Sequence, residues 1–152
     1  MNFLDLDLML GKKGTQKPKE LSPLTLAYVG DAVYELLVRT FVLSDGNAPV
    51  NRLHKKARNM VNAKAQAEFY YRIAEKLTEE EAAVFRRGRN AKSYTMPKNA
   101  NVMDYRYATG VEAIFGYLYL AGQTERALAL FRKGMEQIIK QPMSFHRLFA
   151  IQ

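Results

Sequence analysis

The sequence predicts an all-α fold, and three observations predict it. No stretch shows the strict alternation of polar and apolar residues that marks a half-buried strand. Apolar residues instead recur at helical spacing, so that each long segment has a face to bury. Residues that start and stop helices punctuate those segments at regular intervals. The chain has 152 residues, a single-domain length with room for a real core, and carries no internal repeat or low-complexity tract.

Residues 1–20 divide into an acidic amphipathic piece, MNFLDLDLML, and a basic stretch with Gly and Pro, GKKGTQKPKE. Together they read as a flexible leader ahead of a compact region over 21–141. Ser22 followed by Pro23 is an N-cap with proline at the first helical position, and opens a helix from Pro23 to Leu43 that stops at Ser44-Asp45-Gly46. A second helical segment runs from Pro49 to Lys76 with a break around Val61-Asn62. Thr78 and Glu81 have the spacing of a capping box, opening a helix that ends around Arg89. Residues 90–102 are polar, contain Pro97 and form a loop. A fourth helix spans Met103 to Ala121 and closes at Gly122; Thr124 opens a fifth that reaches Lys140. Pro142 then precedes a short C-terminal helix or tail over 142–152.

Charge and composition narrow the chemistry. Lys and Arg outnumber Asp and Glu by 23 to 15, a formal charge of +8, which favours a polyanionic partner. With no cysteine and only two histidines, thiolate nucleophiles, zinc ribbons and multi-histidine metal sites are excluded. A metal here takes oxygen ligands, which points to Mg²⁺ or Mn²⁺. No apolar run reaches the roughly 18–20 residues of a membrane span, and the N-terminus lacks a basic signal-peptide start. The expectation is a cytoplasmic protein with no membrane partner.

Two acids stand out against this background. Asp31 lies in LAYVGDAVYELL and Glu112 in YATGVEAIFGYLYL, both strongly apolar helices. A carboxylate withdrawn from water costs several kcal/mol unless a cation, hydrogen bonds or a metal compensates it. On a helical wheel Leu24, Ala27, Tyr28, Asp31, Tyr34, Glu35 and Val38 share one side, and Gly30 lets another backbone approach beside Asp31. Asp31 reads either as a core acid satisfied by an arginine or backbone N–H, or as a cation ligand. Glu35, one turn on, is a candidate supporting acid.

The string LAYVGDAVYEL (26–36) resembles the signature helix of the ribonuclease III family, whose aspartate binds a metal. ATGVEAIFGYLYL (108–120) resembles that family's later helix, whose glutamate faces the first acid across the site. The two motifs occur in family order about 80 residues apart. RRGRNAK (86–92), PKNA (97–100) and the short length resemble the compact Mini-III subfamily, which lacks a double-stranded-RNA-binding domain. The resemblance implies a ribonuclease III catalytic domain acting as a helical homodimer, with Asp31 and Glu112 as catalytic and metal-binding residues. The chain departs from classical members at two acids: Ala27 and Thr109 stand where carboxylates are usual. This leaves a less anionic cage, with Thr109 a candidate hydroxyl in support.

The basic residues read either as a solvated face or, from their position just before the Glu112 helix, as an RNA-binding surface. Arg86, Arg87, Arg89, Asn90, Lys92, Lys98 and Asn99 crowd the segment before the Glu112 helix. His54, Lys55 and Lys64 follow a second helical track, in a basic stretch that also holds Lys56 and Arg58. Such contacts grip phosphates and 2′-hydroxyls and make binding strongly salt-sensitive. Tyr28 and Tyr34 suit either a dimer interface or the intrachain core. Tyr94, Tyr105 and Tyr107 suit either RNA sugars or packing.

The expected function is a Mg²⁺-dependent endoribonuclease, with Mn²⁺ as a substitute, that hydrolyses double-stranded RNA. By resemblance its substrate is precursor large-subunit (23S) ribosomal RNA, with a large-subunit ribosomal protein as an assisting partner. The alternative is a non-catalytic RNA-binding or ribosome-assembly module on the same fold, favoured by the two missing acids and opposed by the two retained.

Overall fold

The structure, a computed structural model, describes residues 6–13, 17–92, 96 and 98–140, which contain helices and no strands. The expected C-terminal helix or tail over 142–152, together with Tyr94 and Pro97 of the loop, lies outside the described residues. The helices are α1 (Leu6–Leu10), α2 (Pro23–Val42), α3 (Val50–Val61), α4 (Ala63–Ile73), α5 (Glu79–Asn90), α6 (Val102–Leu120) and α7 (Thr124–Lys140). Short 3₁₀ turns occupy Pro18–Glu20, Leu43–Asp45 and Ala74–Lys76.

Local chemistry sets the boundaries. The Ser22 hydroxyl accepts from the Thr25 N–H at 3.2 Å, and Pro23 occupies the first turn of α2. The break between α3 and α4 falls on Asn62, whose extended backbone ends one helix while its side chain caps the next, accepting from Ala65 N–H at 2.8 Å. Thr78 and Glu81 form the reciprocal capping box of α5. Asn101 caps α6 by accepting from the N–H groups of Met103 and Asp104. Gly122, at φ 75°, turns the chain out of α6 in the left-handed region that glycine enters without a Cβ penalty.

Helix α6 is the centre of the bundle. Val111, Ala113, Ile114, Phe115 and Leu118 are fully buried beneath α2, α4, α5 and α7. Its partner α2 buries Leu26, Ala27, Gly30, Tyr34, Val38 and Val42. This face differs from the one expected from the wheel: Ala27, Tyr34 and Val38 belong to it, but Leu24, Tyr28 and Asp31 face outward. The face turns toward Leu26 and Gly30 because the helices meet backbone to backbone there. A Cβ on Gly30 would overlap the Glu112 carbonyl, and one on Gly116 would overlap the Leu26 carbonyl. Hydrogen is therefore the largest substituent either position holds.

Around this crossing the aromatic core locks the other helices. Tyr34 meets Phe69, Phe115 and Phe131 edge-on, with ring centroids 5.4, 5.4 and 5.8 Å away. Tyr70 stacks on Phe85 at 3.8 Å, joining α4 to α5. Arg72 donates from Nε to the Gly134 carbonyl at 2.6 Å, tying α4 to α7. The buried Glu81 is gripped by Arg126 through two bonds, Nε to Oε2 at 2.9 Å and Nη2 to Oε1 at 2.8 Å.

The crossing predicts the response to its smallest disturbance. Gly116→Ala should lower stability by about 3 kcal/mol in denaturant unfolding, because backbone atoms rather than a flexible side chain oppose the new methyl. An unchanged unfolding midpoint would show that the helices have room to separate.

Candidate active site

Asp31 follows Gly30 on α2, and Glu112 lends its carbonyl to the Gly30 contact on α6. The closest approach of the two helices therefore lies at the two acids. Asp31 is exposed on the single chain, whereas Glu112 is half-buried. Glu112 has its carboxyl pushed up to about 8, first by burial and then by the Asp31 charge, with a hydrogen bond from the Gln66 side chain acting in the opposite sense. The Asp31 carboxyl is also raised, by burial and by the Glu35 charge.

Among the described residues no Lys, Arg or His forms an ion pair with Asp31 or Glu112. Two mutually repelling carboxylates without a counter-charge are a donor set that a divalent cation fits, since it relieves desolvation and repulsion together. No group of three or more His, Cys, Asp or Glu able to hold a metal occurs among the described residues.

The two candidate supporting residues are held by their own helices. Glu35 accepts from Arg39 Nη2 at 3.0 Å, one turn beyond Asp31. The Thr109 hydroxyl donates to the Tyr105 carbonyl at 3.0 Å. Sequence reasoning passed over Gln66, which is 2 % exposed and whose side chain draws the Glu112 carboxyl down. The signal was present: Gln66, Phe69 and Ile73 form the buried face of α4, and an amide among apolar positions calls for a partner.

The basic residues separate into two groups. Arg86, Lys92, Lys98, Asn99, His54, Lys55 and Lys64 have exposed side chains. Arg87 donates to the Leu21 carbonyl at 3.1 Å; Arg89 donates to the Asn90 side chain at 3.1 Å and lies 5.8 Å over the Phe85 ring. These two brace the end of α5 as well as contributing charge. Lys56, within the second basic stretch, is a structural cation: it is 6 % exposed and bonds Asp45 at 3.3 Å. The tyrosines divide in the same way. Tyr34 is core at 1 % exposure and Tyr28 is 82 % exposed, while Tyr107 packs on Tyr70, Tyr71 and Phe85.

Comparison with known proteins gives a consistent result. A family model described as the ribonuclease III domain matches residues 24–123. The chain is 54% identical over 126 residues to Mini-ribonuclease 3 of Thermoanaerobacter sp. (strain X514), covering 83% of this chain and 87% of the relative. It is 44% identical to Mini-ribonuclease 3 of Staphylococcus aureus, covering 76% of this chain and 87% of that one. A crystal structure of a Fusobacterium nucleatum protein superposes with a TM-score of 0.74 at 31% identity, covering 83% of this chain and 98% of that chain.

The raised Glu112 carboxyl makes cation-free stability depend on pH. Between its ordinary value of 4.5 and about 8, the folded protein keeps a proton that the unfolded chain has lost. Stability should therefore fall as pH rises through that window and level off above it. Thermal melts in EDTA from pH 5 to 9 should show this fall, and Glu112→Gln should flatten it. Equal slopes for the two proteins would contradict the buried, repelled carboxyl.

Proposed function

Because this chain belongs to the ribonuclease III family and is an endoribonuclease, we propose that it hydrolyses double-stranded RNA with Mg²⁺ held by Asp31 and Glu112. The observation that carries this reading is the uncompensated carboxylate pair at the α2–α6 crossing. Bound there, Mg²⁺ supplies a Lewis acid for the phosphate and lowers the pKa of water; Mn²⁺ suits the same oxygen donors. Asp31 and Glu112 would hold that ion, whose charge would orient the reacting phosphate. In the reaction the water oxygen bonds to phosphorus and gives up a proton, the bond to the 3′ oxygen breaks, and the leaving oxygen takes up a proton.

RNA is drawn to the site by the net charge of +8 and held by the exposed Arg86, Lys92, Lys98, Asn99, His54, Lys55 and Lys64. A homodimer is supported by one face of α2, where Tyr28 and Leu36 are 82 % and 67 % exposed and Ala32 lies between them. Apolar residues at such spacing, unpartnered in the single chain, match a second copy of the same helix. Asp31 borders this face, so a dimer carries two acid pairs near its twofold axis, one for each RNA strand. The substrate class we assign is precursor 23S ribosomal RNA cut at its paired ends, with a large-subunit ribosomal protein assisting. Likeness to the compact subfamily supports this assignment.

A long RNA duplex incubated with Mg²⁺ should be cut on both strands, and EDTA should stop the cutting. Asp31→Asn should lower the rate at least about a hundredfold while duplex affinity is kept. Cleavage unchanged in EDTA or in Asp31→Asn would overturn the assignment, and binding by the wild type without cutting would favour the assembly-module reading.

The dimer face has its own test. Leu36→Asp should sediment as a monomer and lose double-strand cleavage; a variant that remains dimeric would place the interface elsewhere.

A further inference from the structure

We propose that Tyr71, seated against Tyr107, is a stacking platform for an unpaired nucleotide that flanks the RNA duplex. The inference rests on the reading that this chain acts on double-stranded RNA, and adds a feature of the substrate that the reading leaves open. Four rings form one continuous layer across three helices. Phe85 of α5, 1 % exposed, stacks on Tyr70 of α4 at 3.8 Å with the rings 2° from parallel. Tyr107 of α6 meets both edge-on, 5.2 Å from Tyr70 and 5.6 Å from Phe85. Tyr71 closes the layer, 5.5 Å from Tyr107 and 5.7 Å from Tyr70. It alone of the four faces water, at 65 % exposure. Both neighbours meet it at steep angles, 56° and 61°, so among the described residues no ring lies flat on it. The layer supports the ring and leaves a π face for a flat partner.

The location selects that partner. The layer lies where α5 ends and α6 begins, the end of the bundle where Arg86, Lys92 and Lys98 are exposed. Arg89 lies 5.8 Å over the Phe85 ring, so a guanidinium already rests on the same layer. Met103, 50 % exposed, stands one turn before Tyr107 and extends the apolar surface. An exposed ring beside cations suits a nucleotide, the cations taking its phosphate and the ring its base. Asp104 occupies the first turn of α6, which favours an uncharged base over a phosphate at the ring itself. Inside an A-form duplex each base has both faces covered by its neighbours, so only a nucleotide outside the pairs can offer one. A duplex that runs into single strand supplies such a base, and a blunt duplex does not.

Binding is measured in EDTA, so that nothing is cut, to a duplex with a short unpaired flank on each strand and to the same RNA made abasic in its flanks. The two RNAs carry the same phosphates, so charge cancels from the comparison. Wild type should bind the flanks that keep their bases about tenfold more tightly. A fluorescent purine analogue placed in the flank should be quenched on binding. Tyr71→Ala should lose the preference and the quenching, Tyr71→Phe should keep both, and all three proteins should bind the abasic RNA alike. A wild-type preference under twofold, or one that Tyr71→Ala retains, would overturn the platform. If Tyr71→Ala does not fold, Tyr71→Leu, which keeps bulk without a π face, carries the same expectation. Should the wild type bind no duplex of either kind, the duplex reading fails by itself. The platform is then judged on a single strand of the flank sequence: affinity that Tyr71→Ala leaves unchanged overturns it, and a loss of the same size upholds it.

Discussion

The contact on which this molecule depends is the meeting of two helix backbones, with Gly30 of α2 against the Glu112 carbonyl and Gly116 of α6 against Leu26. Helices normally stand 8–10 Å apart because side chains separate them. Here two positions without side chains let α2 and α6 close further, and residues that flank the glycines are pressed together. Two of those residues are acids. The adjacency of Asp31 and Glu112 is therefore a property of the crossing, and the remaining helices serve to hold it. The caps at Ser22 and Asn101 set where α2 and α6 begin, and the rings of Tyr34, Phe69, Phe115 and Phe131 prevent either helix from turning.

The electrostatic design shows the same division between structure and site. Lys56 with Asp45 and Arg126 with Glu81 are opposite charges brought together where the fold needs them, and each buried group has its counter-charge. Asp31 and Glu112 are like charges brought together with an amide beside them. Such a pair destabilises the cation-free protein, a sacrifice of stability that proteins confine to functional positions. The surface repeats the pattern on a larger scale: a net charge of +8 surrounds a site that is locally negative. In the proposed reaction this pattern would draw a polyanion to the surface and a divalent cation to the acids.

Much of this was legible in the sequence because it is local. Asn62, the Thr78–Glu81 box and Gly122 act on their own neighbours, so helix ends could be placed to within a residue or two. The acids were visible as charge in apolar surroundings, and both motifs lay in contiguous strings. What escaped depends on partners far along the chain. The helical wheel puts Leu24, Tyr28 and Asp31 on the same face as Tyr34, but the α6 backbone at Gly30 rotates the buried face toward Leu26, leaving Tyr28 outside and Tyr34 in the core. Lys56 reads in the sequence as one more surface cation, whereas the fold buries it against Asp45, and Gln66 acquires meaning only through Glu112. Each miss is a matter of which neighbour a side chain meets, and periodicity carries no such information.

If the α2–α6 crossing makes a cation site, diffraction from crystals soaked in Mn²⁺ will locate the ion between the two acids. Anomalous difference maps should show a peak within direct coordination distance of a carboxylate oxygen of Asp31 and of Glu112, and crystals of Asp31→Asn should lose it. A wild-type map with no peak between the two acids, or with ions bound only elsewhere on the surface, would contradict the claim.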